Sequence, residues 1–285
     1  MRRMASAVVL AAWALSSVIG SALDRPNEVS FKLYRRYAIV VRGSIDGLKN
    51  LNLLVDTGAV PSLLDSRIAG RLHLRGKPRQ IVVATQKLPT ERVTVSGVEV
   101  GPANVRDVSM DVMDLSSTGN ALGTRVDAMI GFDVLGQAPF TIDYESRKLV
   151  FGPINPSFNT VSYAPGLPYA MVVLQIQQQR LEILVDTGSN NLVLFQNGVR
   201  ECGGAIRMVG KETWTSMGGE MSVKKANLLD AYLGTVPWRP RWVYVPDNSA
   251  NQPSGMSGLL GTVALGKRVA FDPGRRVLAW EPNEP

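Results

Sequence analysis

The sequence predicts an all-β protein of two related, β-barrel-like lobes with short helices, arranged about a pseudo-two-fold axis. Three observations carry that expectation. Apolar residues alternate with polar ones in short runs such as Val108, Met110 and Val112. A five-residue motif occurs twice, as Leu54-Val55-Asp56-Thr57-Gly58 and Leu184-Val185-Asp186-Thr187-Gly188. A second landmark, Met129-Ile130-Gly131, returns as Leu259-Leu260-Gly261 at the same offset of 130 residues.

In chain order, the first segment reads as an address. Met1 to Met4 is basic, Ala7 to Leu15 is apolar, and Ser16 to Ala22 is rich in small residues. That succession is the order of a secretory signal peptide, so residues 1–22 are expected to be removed near Ala22, or to act as an anchor if uncleaved. The mature chain is then expected to be exported, to a bacterial periplasm or the extracellular medium. No later stretch approaches 18 apolar residues, so no membrane insertion is expected once the signal is gone.

Residues 23–152 read as the N-terminal lobe. Leu51 to Val55 is a buried strand leading into Asp56. A short helix is expected over Asp65 to Leu74, capped by Asp65 and burying Ile68, Ala69 and Leu72. Val93, Val95, Val98 and Val100 alternate on either side of Ser96-Gly97, which suggests a hairpin turn there. Another short helix is expected near Phe132 to Gly136.

Residues 153–168, broken by Pro153, Pro156, Pro165, Gly166 and Pro168, read as a linker. Residues 169–285 read as the C-terminal lobe, with a helix near Thr262 to Gly266. Tyr169 to Val173 matches Tyr37 to Val41 with two residues fewer before the Asp, and Val269 to Asp272 matches Phe140 to Asp143. Asp114 to Arg125 and Pro246 to Met256 are expected to be exposed loops.

Composition narrows the chemistry. With one Cys (Cys202) and one His (His73), the chain has no disulfide framework, no Cys-built metal site and no multi-histidine site. No cofactor or metal is expected. The formal charge of +7 is scattered rather than striped, which argues against nucleic acid as a partner. His73 reads as a helix-surface residue, Cys202 as a loop or strand-end thiol, and Tyr232, Trp238, Trp242 and Tyr244 as packing residues.

A lone Asp-Thr-Gly is an ordinary turn, expected by chance in about one chain of this size in twenty at average composition. Two copies with matched landmarks point to duplication. A strand ending in Asp-Thr-Gly sets a carboxylate at a tight turn, where Gly permits close approach and backbone N–H groups hold the acid. Two Thr hydroxyls meeting across a two-fold axis can hydrogen-bond each other's backbone. Paired carboxylates share one proton, so one acts as general base on a water while the other polarises a carbonyl.

On these motifs the chain resembles the aspartic peptidases of the retropepsin-like and pepsin-like group. Asp56-Thr57-Gly58-Ala59 is similar to the single-lobe form and Asp186 to Leu194 to the pepsin form. The resemblance implies a bilobal acid-protease fold and an aspartic endopeptidase that acts as a monomer on polypeptides. It implies Asp56 and Asp186 as catalytic, with Thr57, Gly58, Thr187, Gly188 and Ser189 in support and Gly131 and Gly261 packed behind. It places a flap near Val83 to Arg92, a stretch without Tyr, matched by Trp214 to Met221. Ser189, where the other copy has Ala59, is expected to donate to Asp186 and keep it charged, leaving the proton on Asp56. A fold that binds peptides without cutting them remains the alternative.

Overall fold

The computed structural model describes residues 27–83, 86–216, 219–240, 242–247 and 255–283. The expected signal segment, the tip of the expected flap and most of the Pro246–Met256 loop lie outside them.

In the first half, β1 (Glu28–Tyr34), β2 (Ala38–Ile45) and β3 (Leu48–Val55) form an antiparallel meander, followed by β4 (Leu63–Asp65) and α1 (Ser66–Arg71). Strands β5 (Lys77–Val83) and β6 (Gln86–Val100) make a hairpin, and β7 (Ala103–Met113) returns along β6. Then come α2 (Ser116–Leu122), β8 (Ala128–Ile130), α3 (Phe132–Leu135), β9 (Phe140–Asp143) and β10 (Lys148–Phe151). The second half repeats the plan with β11 (Asn159–Ser162), β12 (Met171–Ile176), β13 (Gln179–Asp186), β14 (Leu192–Leu194) and α4 (Gln196–Cys202). It continues through the hairpin β15 (Ile206–Ser216) and β16 (Gly219–Leu228), β17 (Ala231–Leu233), β18 (Val236–Trp238) and β19 (Val243–Pro246). It ends with β20 (Gly258–Gly261), α5 (Thr262–Leu265), β21 (Arg268–Asp272) and β22 (Val277–Glu281). The molecule is therefore all-β and bilobal, and among the described residues each α-helix spans four to seven residues.

The duplication is visible in the strand registers. β3 runs parallel to β8 with Val55 opposite Ile130, and β13 runs parallel to β20 with Val185 opposite Leu260. β4 and β14 then cross the same partners in antiparallel sense, Leu63 opposite Met129 and Val193 opposite Leu259. Every pair differs from its counterpart by 130 residues. The equivalent strands β9 and β21 pair antiparallel with each other, Phe140 opposite Phe271 and Ile142 opposite Val269, as a two-fold axis between them requires. Around that axis Phe140 and Phe271 stack at 4.9 Å, and Phe132 meets Phe271 edge-on at 5.7 Å. These rings belong to one apolar core continuous through both halves.

Each half also carries a second apolar layer on the opposite face of its sheet. Val40, Leu54, Leu63 and Met129 form one, and Met171, Leu184, Val193 and Phe195 the other. Strand alternation produces this division, since Val55 and Val185 face the shared core while Leu54 and Leu184 face away from it. Among the described residues, no helix is long and apolar enough to cross a membrane.

Several local expectations change. Ser96-Gly97 is not a hairpin turn but a bend inside the long strand β6. Asp46 Oδ1 accepts from Ser96 Oγ (2.7 Å) and the Gly97 N–H (3.0 Å), and Asp107 on the partner strand takes φ of 52°. The bend lets Val93 and Val95, then Val98 and Val100, all reach the same core despite their change of parity. Helix α1 is capped by Asp65 as expected but stops at Arg71, and His73, exposed, follows in a left-handed turn. Most of the expected Asp114–Arg125 loop is helix α2, and part of the expected linker is strand β11, paired with β22.

The Tyr37 and Tyr169 stretches are offset by one residue fewer, not two. Ile39 lies opposite Val55, but Met171 lies opposite Leu184, and the Val185 N–H bonds to Ala170 O at 2.9 Å. A slip of one residue would turn Met171 out of its apolar layer, so side-chain parity overrides the letter-by-letter match.

Candidate functional site

Asp56 follows directly on β3 and Asp186 ends β13, so both acids leave the centre of a sheet where a parallel neighbour lies behind them. The Asp56 N–H bonds to Ile130 O at 2.9 Å, and Asp186 stands opposite Gly261 in the ladder. The next residues tie the two halves together. The Thr57 N–H donates to Thr187 Oγ1 (2.9 Å), whose hydroxyl donates to Val55 O (2.8 Å). Reciprocally, the Thr187 N–H donates to Thr57 Oγ1 (3.1 Å), whose hydroxyl donates to Val185 O (2.9 Å). Both threonines are buried, so these four bonds form away from solvent.

This crossing brings the carboxyl groups into hydrogen-bond contact with each other. Each is also held by its own turn, with the Gly58 N–H on Asp56 Oδ1 (3.0 Å) and the Gly188 N–H on Asp186 Oδ1 (2.7 Å). The glycines stand against the opposite acid. A Cβ on Gly58 would lie 2.9 Å from Asp186 Cγ, and one on Gly188 would lie 3.0 Å from Asp56 Oδ2. No side chain fits at either place without pushing the acids apart.

Burial raises both carboxyl groups above the ordinary Asp range. Asp186 is raised further by the charge of Asp56, while hydrogen bonds from Asp186, Gly58 and Ala59 partly offset the rise at Asp56. The two carboxyl groups therefore titrate as one unit that shares a single proton. The Ser189 N–H bonds to the main-chain Asp186 O at 3.3 Å, but its hydroxyl donates to Asn191 O at 3.2 Å, inside its own loop, rather than to the Asp186 carboxyl, so the expected stabilising donor is absent from that acid.

Gly131 and Gly261 sit behind the two turns. A Cβ on Gly131 would lie 2.0 Å from Ala59 O, and one on Gly261 would lie 2.5 Å from Ser189 O. Sequence reasoning missed the residues that brace these glycines. Ser62 Oγ accepts the Gly131 N–H (2.8 Å) and donates to Asp133 Oδ1 (2.6 Å), while Asp133 Oδ2 accepts the Ser62 N–H (2.9 Å). In the second half the Gly261 N–H bonds to Asn191 O instead (2.9 Å), so the brace is not duplicated and leaves no repeat to detect. Tyr144, hydrogen-bonded to Thr262 Oγ1 at 2.6 Å, is a further missed neighbour, its phenol raised chiefly by burial and slightly by Asp186.

The hairpin expected as a flap is β5–β6, and its base is fixed by a buried acid. Asp111 Oδ1 and Oδ2 accept from Arg92 Nε and Nη2 at 2.9 and 3.0 Å. In the second half, β15–β16 carries Trp214, whose ring lies 4.5 Å from that of Tyr244. Trp238 and Tyr244 are buried packing residues, and Lys225 Nζ lies 4.1 Å over the Trp242 ring. Cys202 is buried at the end of α4, and burial, with Glu201, pushes its thiol up to about 11. It is remote in chemistry from a reactive thiolate.

No curated protein matches the chain. The sequence signature described as aspartyl protease matches residues 41–134, about a third of the chain, a span that contains Asp56, Thr57, Gly58 and Gly131 and supports an aspartic protease family.

Proposed function

We propose that the chain is an aspartic endopeptidase that hydrolyses polypeptides with a water activated between Asp56 and Asp186. The observation that carries this reading is the crossing of Thr57 and Thr187, which presses half-buried Asp56 and buried Asp186, from separate halves, into hydrogen-bond contact. Thr57, Gly58, Thr187 and Gly188 maintain that contact, Ser189 supports the second turn internally, and Gly131 and Gly261 give both turns their backing.

The pair enters the reaction with one proton. Charged Asp56 takes a proton from water as the water oxygen attacks the peptide carbonyl carbon. Neutral Asp186 gives its proton to the carbonyl oxygen, and a gem-diol results. On collapse, one diol hydroxyl returns a proton to Asp186, Asp56 gives its proton to the departing nitrogen, and the C–N bond breaks. The dyad again holds one proton. We include in the proposal that the protein acts as a monomer after export, with the segment 1–22 as its signal.

The test is cleavage of an unfolded polypeptide from mildly acidic to neutral pH by the mature protein, Asp56→Asn and Asp186→Asn. Cutting by the wild type alone supports the reading. Retained cutting in both variants refutes it, and binding without cutting by all three supports a peptide-binding protein instead.

A further inference from the structure

We infer that Tyr37 contacts the substrate of the proposed peptidase, its phenol hydroxyl donating a hydrogen bond to the main chain of a polypeptide lying over Asp56 and Asp186. The inference rests on the peptidase reading and adds a residue that the repeat and the Asp-Thr-Gly motifs do not reveal.

Strand register places Tyr37 near the dyad. Ile39 lies opposite Val55, so continuing the antiparallel ladder sets Ala38 across from Asp56, with Tyr37 one residue further. The Tyr37 ring packs, half-buried, on the apolar layer that contains Ala38, Val40 and Leu54, on which Ala59 also packs. That layer faces away from the shared core, on the side where the acids emerge.

The turn that presents Tyr37 is tightly built. Arg35 and Arg36 both take left-handed conformations, with φ of 48° and 70°, and the Tyr37 N–H closes the turn on Tyr34 O at 3.0 Å. Arg35 Nε donates to Ala121 O at 2.9 Å, which ties the turn to the end of α2. Two adjacent non-glycine residues in this conformation are costly and persist where the surroundings hold them.

The hydroxyl itself bonds to none of the described residues. Burial, then the charges of Asp186 and Asp56, raise the phenol against a small opposing effect of Arg35, so it stays a neutral donor wherever the dyad holds one proton. By strand register the equivalent position in the second half is Pro168, which offers no donor. By that register the hydroxyl has no counterpart in the second half, and it comes from the β1–β2 turn rather than from the Tyr-free stretch Val83 to Arg92.

Tyr37→Phe removes the oxygen and keeps the ring on its apolar layer; Tyr37→Ala removes both. The readouts are kcat and KM on an unfolded polypeptide, affinity for a statine-containing peptide, the pH–rate profile and the thermal unfolding temperature. Loss of one substrate hydrogen bond predicts about a tenfold fall in kcat/KM and in statine-peptide affinity for Tyr37→Phe. Both limbs of its pH–rate profile and its unfolding temperature are expected to stay in place. Tyr37→Phe within twofold of wild type in rate and affinity overturns the inference and leaves the dyad reading intact. Wild type that neither cuts nor binds refutes the peptidase reading, and the role of Tyr37 with it.

Discussion

Replacing Thr57 with Val removes the hydroxyl that links the two halves and changes almost nothing else in shape. Two backbone groups lose a partner, the Val185 carbonyl (2.9 Å) and the Thr187 N–H (3.1 Å). Thr57 itself is fully buried and Thr187 is 1% exposed, so water cannot substitute. A buried polar group left unpaired costs about 1–3 kcal/mol, giving about 2–6 kcal/mol for the pair. The added methyl is better buried than the hydroxyl was, which places the expectation near 3 kcal/mol. Thr57→Ser keeps the hydroxyl and loses one methyl, a cost of about 1 kcal/mol. The assay is urea unfolding with the slope of the transition monitored, so that a change in midpoint reads as stability. Thr187→Val breaks the other two bonds, to the Thr57 N–H and Val55 O, and should behave as its mirror. A Thr57→Val protein within about 1 kcal/mol of wild type, or no better Thr57→Ser, would refute the claim that these hydroxyls hold the acids together.

Two further expectations follow from the same geometry. Raised folded-state carboxyl groups stabilise the fold at pH below the unfolded pKa and lose that contribution as pH rises through the folded one. Asp186→Asn, which cannot ionise, should therefore unfold at a higher temperature than wild type at pH 7, with the gap closing as pH falls into the ordinary carboxylate range; an equal gap at both ends contradicts the raised pKa. Gly131→Ala forces a Cβ to 2.0 Å from Ala59 O and should cost about 1–3 kcal/mol in urea unfolding, with reduced cleavage as the Asp56 turn shifts. Gly210→Ala, with nothing within 4 Å of the new Cβ, is the control, and equal losses in the two would count against the packing argument.

Much of this site was legible from spacing alone. The 130-residue offset of the motifs and of the hydrophobic-hydrophobic-Gly landmarks reappears in strand pairing, because each motif strand lies directly beside its landmark strand, Val55 opposite Ile130 and Val185 opposite Leu260. The cap of α1 was legible because Asp65 acts on the adjacent residues, accepting the Arg67 N–H at 3.0 Å. What sequence hid depends on distant partners. The bend at Ser96-Gly97 is set by Asp46, fifty residues away, and the brace of Gly131 by Ser62 and Asp133 in only one half. Ser189 misled for a related reason: a hydroxyl next to the motif has several acceptors in reach, and the carbonyl of Asn191 takes it. The register of β12 went astray because Tyr-Ala identity is weaker than the parity that keeps Met171 with Leu184.

The most direct test of the central claim is a crystal structure of the mature protein with a statine-containing peptide, whose hydroxyl stands in for the attacking water. The account predicts that hydroxyl within hydrogen-bond distance of both Asp56 and Asp186, with the Thr57 and Thr187 bonds intact. A peptide bound elsewhere, or one touching only one of the two acids, would contradict it.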